Sequence, residues 1–309
     1  MKSNQHHVVL GTGPLGGSVV RALGGMDVSV TAVNRNGHAM VGQEIDVVGA
    51  DLAEAGQAVR ACEGADVVYF CVSPPYGDWP EAFPPLLDNA ITAAEKADAR
   101  LVVAENCYMY GALAGPMTED LPYEPVGRKG KTRAAMAETA MAAHEEGRID
   151  VAIGRGSDFF GPGVTQSTMG ERVFPNVLEG KTVNVLGDPD APHTYTYIDD
   201  FGGALVTLGT EPEAVGEAWH VPSAETLTTR EFLELAFEVA GTKPKIRRMP
   251  GWLFKVVSTV SSELRELRET MYQFEGPFVV DHSKFEQAFG ADPTPHENAI
   301  GRTLEWYRD

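Results

Sequence analysis

His7-Val8-Val9-Leu10-Gly11-Thr12-Gly13-Pro14-Leu15-Gly16-Gly17 is the stretch from which the fold can be read. Its first four residues read as a short buried strand. The glycines turn that strand into a helix running to about Leu23, with Pro14 suited to a first helical turn. In the spacing Gly11-x-Gly13-x-x-Gly16 each glycine does what a side chain would prevent. Gly11 makes the tight turn, Gly13 lets backbone approach a pyrophosphate, and Gly16 lets helix pack on strand. The helix N-terminus then faces the anion. Alone the motif is a weak signal; here an apolar strand precedes it and a helix follows.

The alternation continues downstream. Strands are expected over 27–33, 44–48, 65–71, 100–105 and 150–153, with helices near 51–62, 80–96 and 131–146. This implies βαβ units and an α/β fold, a doubly wound parallel Rossmann sheet with ligands beyond the C-terminal ends of its strands. From Gly161 onward Pro, Gly and short helices dominate. Helices are expected at 166–179, 199–209, 228–240, 251–274, broken near Ser261-Ser262, and 296–308, with strands near 182–186 and 217–221. The reading is an NAD(P)-binding Rossmann domain over 1–164. A smaller C-terminal α+β substrate domain occupies 165–309, with segments near 182–220 returning to the Rossmann core.

Composition narrows the function classes. Of 309 residues, 43% are hydrophobic and 22% charged, ordinary for a globular chain. No run approaches the roughly 20 apolar residues of a membrane helix, and Met1 to His7 has no apolar leader segment, so a cytoplasmic protein is expected. Cys62, Cys71 and Cys107 form no CxxC pair and read as small buried side chains, with no metal site. A net charge of −19 argues against nucleic acid or anionic membrane and leaves a small molecule as the expected partner.

The choice of dinucleotide rests on the end of the second strand, where a carboxylate would accept from the ribose hydroxyls of NAD. That place reads Asn34-Arg35. An amide and a guanidinium remove the repulsion against a 2′-phosphate, so NADP is expected over NAD, unless Arg35 is simply a surface arginine. Asp51, beside Leu52, suits an adenine contact or caps the helix that follows.

Together the glycine turn, Asp51-Leu52, Tyr108-Met109-Tyr110-Gly111, Arg155-Gly156-Ser157-Asp158-Phe159-Phe160-Gly161-Pro162-Gly163 and Tyr197-Ile198-Asp199-Asp200 resemble the extended short-chain dehydrogenase/reductases. This is the NAD-dependent epimerase/dehydratase family. The resemblance implies a Rossmann domain with a smaller substrate domain, and often a homodimer. It also exposes departures. The glycine turn is one residue shorter than the family's usual form. The family's Tyr-x-x-x-Lys pair is missing: the segment reads Gly127-Arg128-Lys129-Gly130-Lys131-Thr132-Arg133, and neither Lys129 to Arg133 nor Gly127 to Lys131 restores a tyrosine.

Against the family pattern, Asn106 stands where a Ser or Thr bonds the substrate oxygen, and Tyr108 where some sugar dehydratases carry a glutamate. Asn106, Tyr108 and Lys131 are therefore the candidate catalytic set, with Lys131 lowering the Tyr108 pKa. The alternative is that Tyr108 packs and Lys131 binds ribose or phosphate. Asp158 stands where relatives carry an asparagine near substrate, or caps a turn. His193 replaces the arginine that nucleotide-sugar enzymes keep for the diphosphate, which weakens the case for such a substrate. Phe159, Phe160, Trp252, Phe254 and Met271 either line an apolar pocket or build core.

Candidate cofactor contacts are thus Gly11, Gly13, Pro14, Leu15, Gly16, Asn34, Arg35, Asp51, Leu52 and Lys131; candidate substrate contacts are Asp158, Phe160 and His193. Two functions fit. One is an NADPH-dependent oxidoreductase, or an epimerase using the same parts, acting on a small carbonyl or enone compound rather than a nucleotide sugar. The other is an NAD(P)-binding sensor or scaffold without turnover, for which the missing tyrosine speaks.

Overall fold

The computed structural model describes residues 5–38, 45–251, 254, 258–259 and 265–308. Its centre is a seven-stranded sheet. The first six strands are β1 (His6–Leu10), β2 (Ser29–Asn34), β3 (Asp46–Gly49), β4 (Val67–Phe70), β5 (Arg100–Glu105) and β6 (Val151–Arg155). Short strands follow: β7 (Asp158–Phe160), β8 (Val183–Val185), β9 (Pro192–His193) and β10 (Tyr195–Tyr197). Then come β11 (Glu217–His220), β12 (Leu227–Thr228) and β13 (Ile246–Arg248). The sheet order is β11-β6-β5-β4-β1-β2-β3, all parallel. The chain runs outward from β1 to β3, then returns to β4 on the other side of β1. The expected doubly wound sheet is present, and its switch point lies between β1 and β4.

Helices cover both faces because the strands are apolar on both. The helices are α1 (Pro14–Leu23), α2 (Ala55–Ala61), α3 (Trp79–Ala97), α4 (Gly127–Glu145), α5 (Phe174–Leu178), α6 (Ile198–Thr210) and α7 (Thr229–Ala240). Val8, Leu10, Val68 and Phe70 pack toward α2, α3 and α4. Val9, Val67, Tyr69 and Val102 pack toward α1 and α6. Contact between α1 and α6 is close: a side chain at Gly202 would meet the Ser18 hydroxyl, which donates to the Ile198 carbonyl (2.7 Å). A second core, around Phe160, Phe174, Tyr195, Phe232 and Phe237, joins α5, α7 and the C-terminal helix His296–Arg308 beyond the sheet. Among the described residues no helix is long and apolar enough to cross a membrane.

Several expectations need correction. Of the segment near 182–220, α6 packs on the sheet and β11 joins it beside β6, as expected of segments that return to the Rossmann core, while β8 pairs with β13 outside it. The helix expected over 166–179 shrinks to Phe174–Leu178. A Cβ at Gly170 would lie 2.4 Å from the Thr165 carbonyl, and Glu171 N bonds that same oxygen, so the chain is held in a turn there. The helix expected from Lys131 starts at Gly127. No local side chain caps it; Glu269, from the far end of the chain, accepts from Arg128 N (2.6 Å). Of the helix expected over 251–274, residues 252–253, 255–257 and 260–264, which include Trp252 and the break at 261–262, lie outside the described residues. Its described end is a 3-10 turn at Leu267–Thr270 followed by a helical turn at Tyr272–Glu275.

Candidate active site

The C-terminal edge of the sheet brings the glycine turn beside β4. Gly11 has φ +99°, and a Cβ there would lie 2.9 Å from the Cys71 carbonyl. At Gly16 it would lie 1.9 Å from the Gly11 carbonyl. Both positions are closed to side chains by backbone. Gly13 differs: it caps α1 in extended conformation (φ −68°, ψ −174°), and a Cβ there meets no protein atom within 4 Å. The space in front of the α1 amides is therefore open, as a cradle for a pyrophosphate requires. Pro14 stands at the first helical position and Leu15 packs against the core under the turn.

Asn34 closes β2 and is fully engaged. Its Nδ2 donates to Thr12 Oγ1 (3.2 Å) and the His38 carbonyl (3.0 Å), and its Oδ1 accepts from Asn36 N and His38 N. The amide thus ties the glycine turn to the loop after β2. Arg35 projects from that loop, exposed, with no ion pair or hydrogen bond among the described residues. Asp51 accepts from Ala53 N (3.0 Å), the bond of a turn cap, and Leu52 is buried in the core with its carbonyl held by Asn89.

Three neighbouring strands end on polar residues in one row: Glu105, Arg155 and His220 are in register across β5, β6 and β11. All are buried. Arg155 Nε pairs with Glu105 Oε2 (3.4 Å), its Nη1 donates to Tyr110 Oη (2.5 Å), and it also bonds the Tyr123 hydroxyl. Tyr110 Oη meets His220 Nε2 (2.9 Å), whose Nδ1 donates to the Asp281 carbonyl (2.8 Å). Burial raises the Glu105 carboxyl pKa even though Arg155 and Arg133 pull it down. This row forms a rigid floor under the 106–108 turn.

Burial also holds His220 and, in β1, His7 down to about 4, so the fold favours both neutral imidazoles. The unfolded chain takes up these protons near the ordinary imidazole value of 6.5, hence the unfolded state binds more protons between about 6.5 and 4. Stability should be full above that window and fall through it as pH drops. Urea denaturation at about pH 7 and pH 5 should differ by about 2 kcal/mol for each histidine. A flat profile contradicts this account.

Above the floor sits an aromatic cluster. Tyr76 Oη lies 3.3 Å from Tyr108 Oη and 3.4 Å from Thr270 Oγ1, its single proton going to one of the two; Trp79 stacks on Tyr108. Asn106 Oδ1 accepts from Tyr108 N (3.1 Å), fixing the turn and leaving its Nδ2 without a bond among the described residues. Burial, with Tyr76 and Asp158 nearby, pushes the Tyr108 pKa well above the ordinary phenol value. That corrects the expectation that a lysine lowers it. Lys131 is exposed, whereas Lys129 and Arg133 are the cations that α4 turns inward. Lys129 Nζ lies over the Tyr76 ring and pairs with Glu266 (2.6 Å) and Glu269 (2.5 Å). Arg133 lies on the Trp79 and Phe83 rings.

Asp158 and His193 are brought together. His193 Nε2 meets Asp158 Oδ2 (3.1 Å), and its ring is stacked among Tyr195, Phe274 and Phe278. Phe160 is not with them. It is fully buried against Phe174, Tyr197 and Phe232, so it builds core rather than lining a pocket. Sequence reading passed over Tyr76, Lys129, Arg133 and the strand-ending row. Two signals were available: a polar residue closing an apolar parallel strand, and basic residues at i and i+4 on one helix face.

The family model described as "NAD dependent epimerase/dehydratase family" matches residues 8–221. The chain belongs to that family. It is 25% identical over 205 residues to a dTDP-glucose 4,6-dehydratase of Streptomyces antibioticus, 65% of this chain and 55% of that protein. It is 22% identical over 191 residues to an uncharacterized UDP-glucose epimerase, YtcB, of Bacillus subtilis (strain 168), 59% of this chain and 60% of that protein. The match thus spans less than two thirds of the length of these relatives. In fold it is similar to the DesIV double mutant, a dTDP-glucose 4,6-dehydratase from Streptomyces venezuelae with NAD and DAU bound. That comparison has a TM-score of 0.78 and 20% identity, and covers 98% of this chain and 97% of that one.

Proposed function

We propose that the chain binds NADP in preference to NAD and acts as an oxidoreductase, or an epimerase-like enzyme, on a small uncharged carbonyl compound. The observation that carries this reading is the end of β2. Asn34 is consumed by its own loop, no carboxylate stands beside it in sequence, and Arg35 is left exposed and without a partner among the described residues where a 2′-phosphate would arrive. The bound dinucleotide would supply hydride chemistry; the α1 amides and Gly13 would hold its pyrophosphate. Tyr108, kept protonated by burial, suits a donor to a developing oxyanion, and Asn106 Nδ2 suits a second donor. Asp158 faces the same cluster.

The named relatives favour a nucleotide sugar. Against carrying that over, His193 is enclosed by aromatic rings and bonded to Asp158, so it presents no guanidinium fork to a diphosphate. Fluorescence titration tests the cofactor. Arg35→Asp should weaken NADPH binding by about 10- to 100-fold, the worth of a charge-assisted contact, and leave NADH nearly unchanged. Equal loss for both cofactors contradicts the assignment. Absorbance of reduced cofactor, with ketones, enones, UDP-glucose and dTDP-glucose as substrates, tests the rest; turnover of the nucleotide sugars alone defeats the small-carbonyl reading.

A further inference from the structure

The segment 266–273 comes from the far end of the chain and closes over the Tyr76–Tyr108 cluster. Glu266 and Glu269 clamp it to Lys129, and Thr270 bonds the Tyr76 hydroxyl. It carries two side chains that the fold leaves unmatched. Gln273 is 1% exposed, and both its Oε1 and its Nε2 are buried without a hydrogen-bond partner among the described residues. The Tyr272 hydroxyl is buried and likewise without a partner among the described residues. The Gln273 amide stands near enough to the Tyr108 hydroxyl to pull its pKa down, although neither amide atom reaches hydrogen-bond geometry with it, and Tyr272 shares Tyr76 and Asp158 as electrostatic neighbours with Tyr108. Three unmet polar atoms therefore gather around the residue assigned above as proton donor. A folded chain does not keep such atoms dry without cause, because each forgoes its bonds to water.

We infer that Gln273, with Tyr272, is the specificity-determining roof of the site and recognises a neutral substrate bearing a hydroxyl beside its carbonyl. A carboxamide sets one donor next to one acceptor, the complement of a hydroxyl adjoining a carbonyl. The neutrality follows from the surrounding charges. Lys129 pairs with Glu266 and Glu269 and Arg155 with Glu105, while Arg133 lies on two rings without an ion pair among the described residues; three cations thus stand against three carboxylates, with no surplus positive charge for an anionic substrate. This inference rests on the hydride-transfer reading, but its test is separable from it.

Gln273→Met keeps the volume and removes the unmatched amide. The thermal midpoint of the unliganded protein should rise by a few degrees, as expected when an unpaired buried group is replaced. NADPH affinity should not change. Saturation-transfer NMR with the wild-type NADP complex should detect hydroxyacetone, dihydroxyacetone or erythrulose in preference to acetone and 2-butanone, and that preference should vanish in the variant. A lowered midpoint shows that the amide is satisfied within the fold and overturns the proposal. So does a wild type that binds none of the hydroxyketones, or a variant that keeps the preference. Loss of NADPH binding by the wild type itself would instead defeat the cofactor reading.

Discussion

Arg155→Met is expected to destabilise the protein by about 3–5 kcal/mol, the range for breaking a buried ion pair by removing one partner. Arg155 and Glu105 are fully buried in neighbouring strands, so no solvent is at hand to replace the lost guanidinium. Glu105 already has its pKa raised, and its Oε1 has no hydrogen-bond partner among the described residues. Without Arg155 it must become a neutral acid or stay as an unpaired buried charge. Tyr110 and Tyr123 lose their donor at the same time. The double variant Glu105→Gln/Arg155→Met should lose clearly less than the sum of the single variants, since the two residues share one interaction. Urea denaturation reads both numbers. A cost below about 1 kcal/mol for Arg155→Met, typical of an exposed pair, would show that the row at the strand ends does not hold the floor of the site.

Why the row exists follows from the topology. Ligands of a doubly wound sheet lie beyond the carboxyl ends of the strands, and the polar ends of β5, β6 and β11 pin that edge behind the 106–108 turn. Cys107, buried and with its thiol pKa raised to about 12, adds packing and a weak contact to the Gly156 carbonyl (3.7 Å) rather than reactivity.

The sheet was legible in the sequence because parallel strands covered on both faces are continuous apolar runs, and Arg100–Glu105 was read at both its ends. The helix 296–308 was legible through its amphipathic period. Misreadings came where distant residues decide. The start of α4 is held by Glu269, which no local pattern announces, and the two glycines at 127 and 130 lower its helical signal. The same start hid the inward face of α4. With the helix begun at Lys131, the lysine at that position looked available, although it faces solvent and Lys129 and Arg133 face in. Phe160 read equally well as pocket or core, and only the packing of α5 and α7 around it decides for core. Asp158 and His193 lie 35 residues apart, yet the parallel pairing of β7 with β10 brings these two candidates into one bond.

The central claim is that the turn after β1 holds a dinucleotide, and the second large effect follows from it. Two of its glycines are fixed by backbone contacts, so changing Gly11 or Gly16 would confound folding with binding. Gly13 separates the two. Its backbone is in a region open to any residue, and a side chain there meets only empty space, so Gly13→Val should fold, with at most about 1 kcal/mol lost at the helix cap. The same isopropyl group would fill the cradle in front of the α1 amides. NADPH affinity of Gly13→Val, measured by fluorescence titration beside a thermal melt, is therefore the most direct measurement. The account predicts a near-native midpoint with binding weakened at least about 100-fold, a loss of roughly 2.7 kcal/mol. Binding equal to that of the wild type would contradict it.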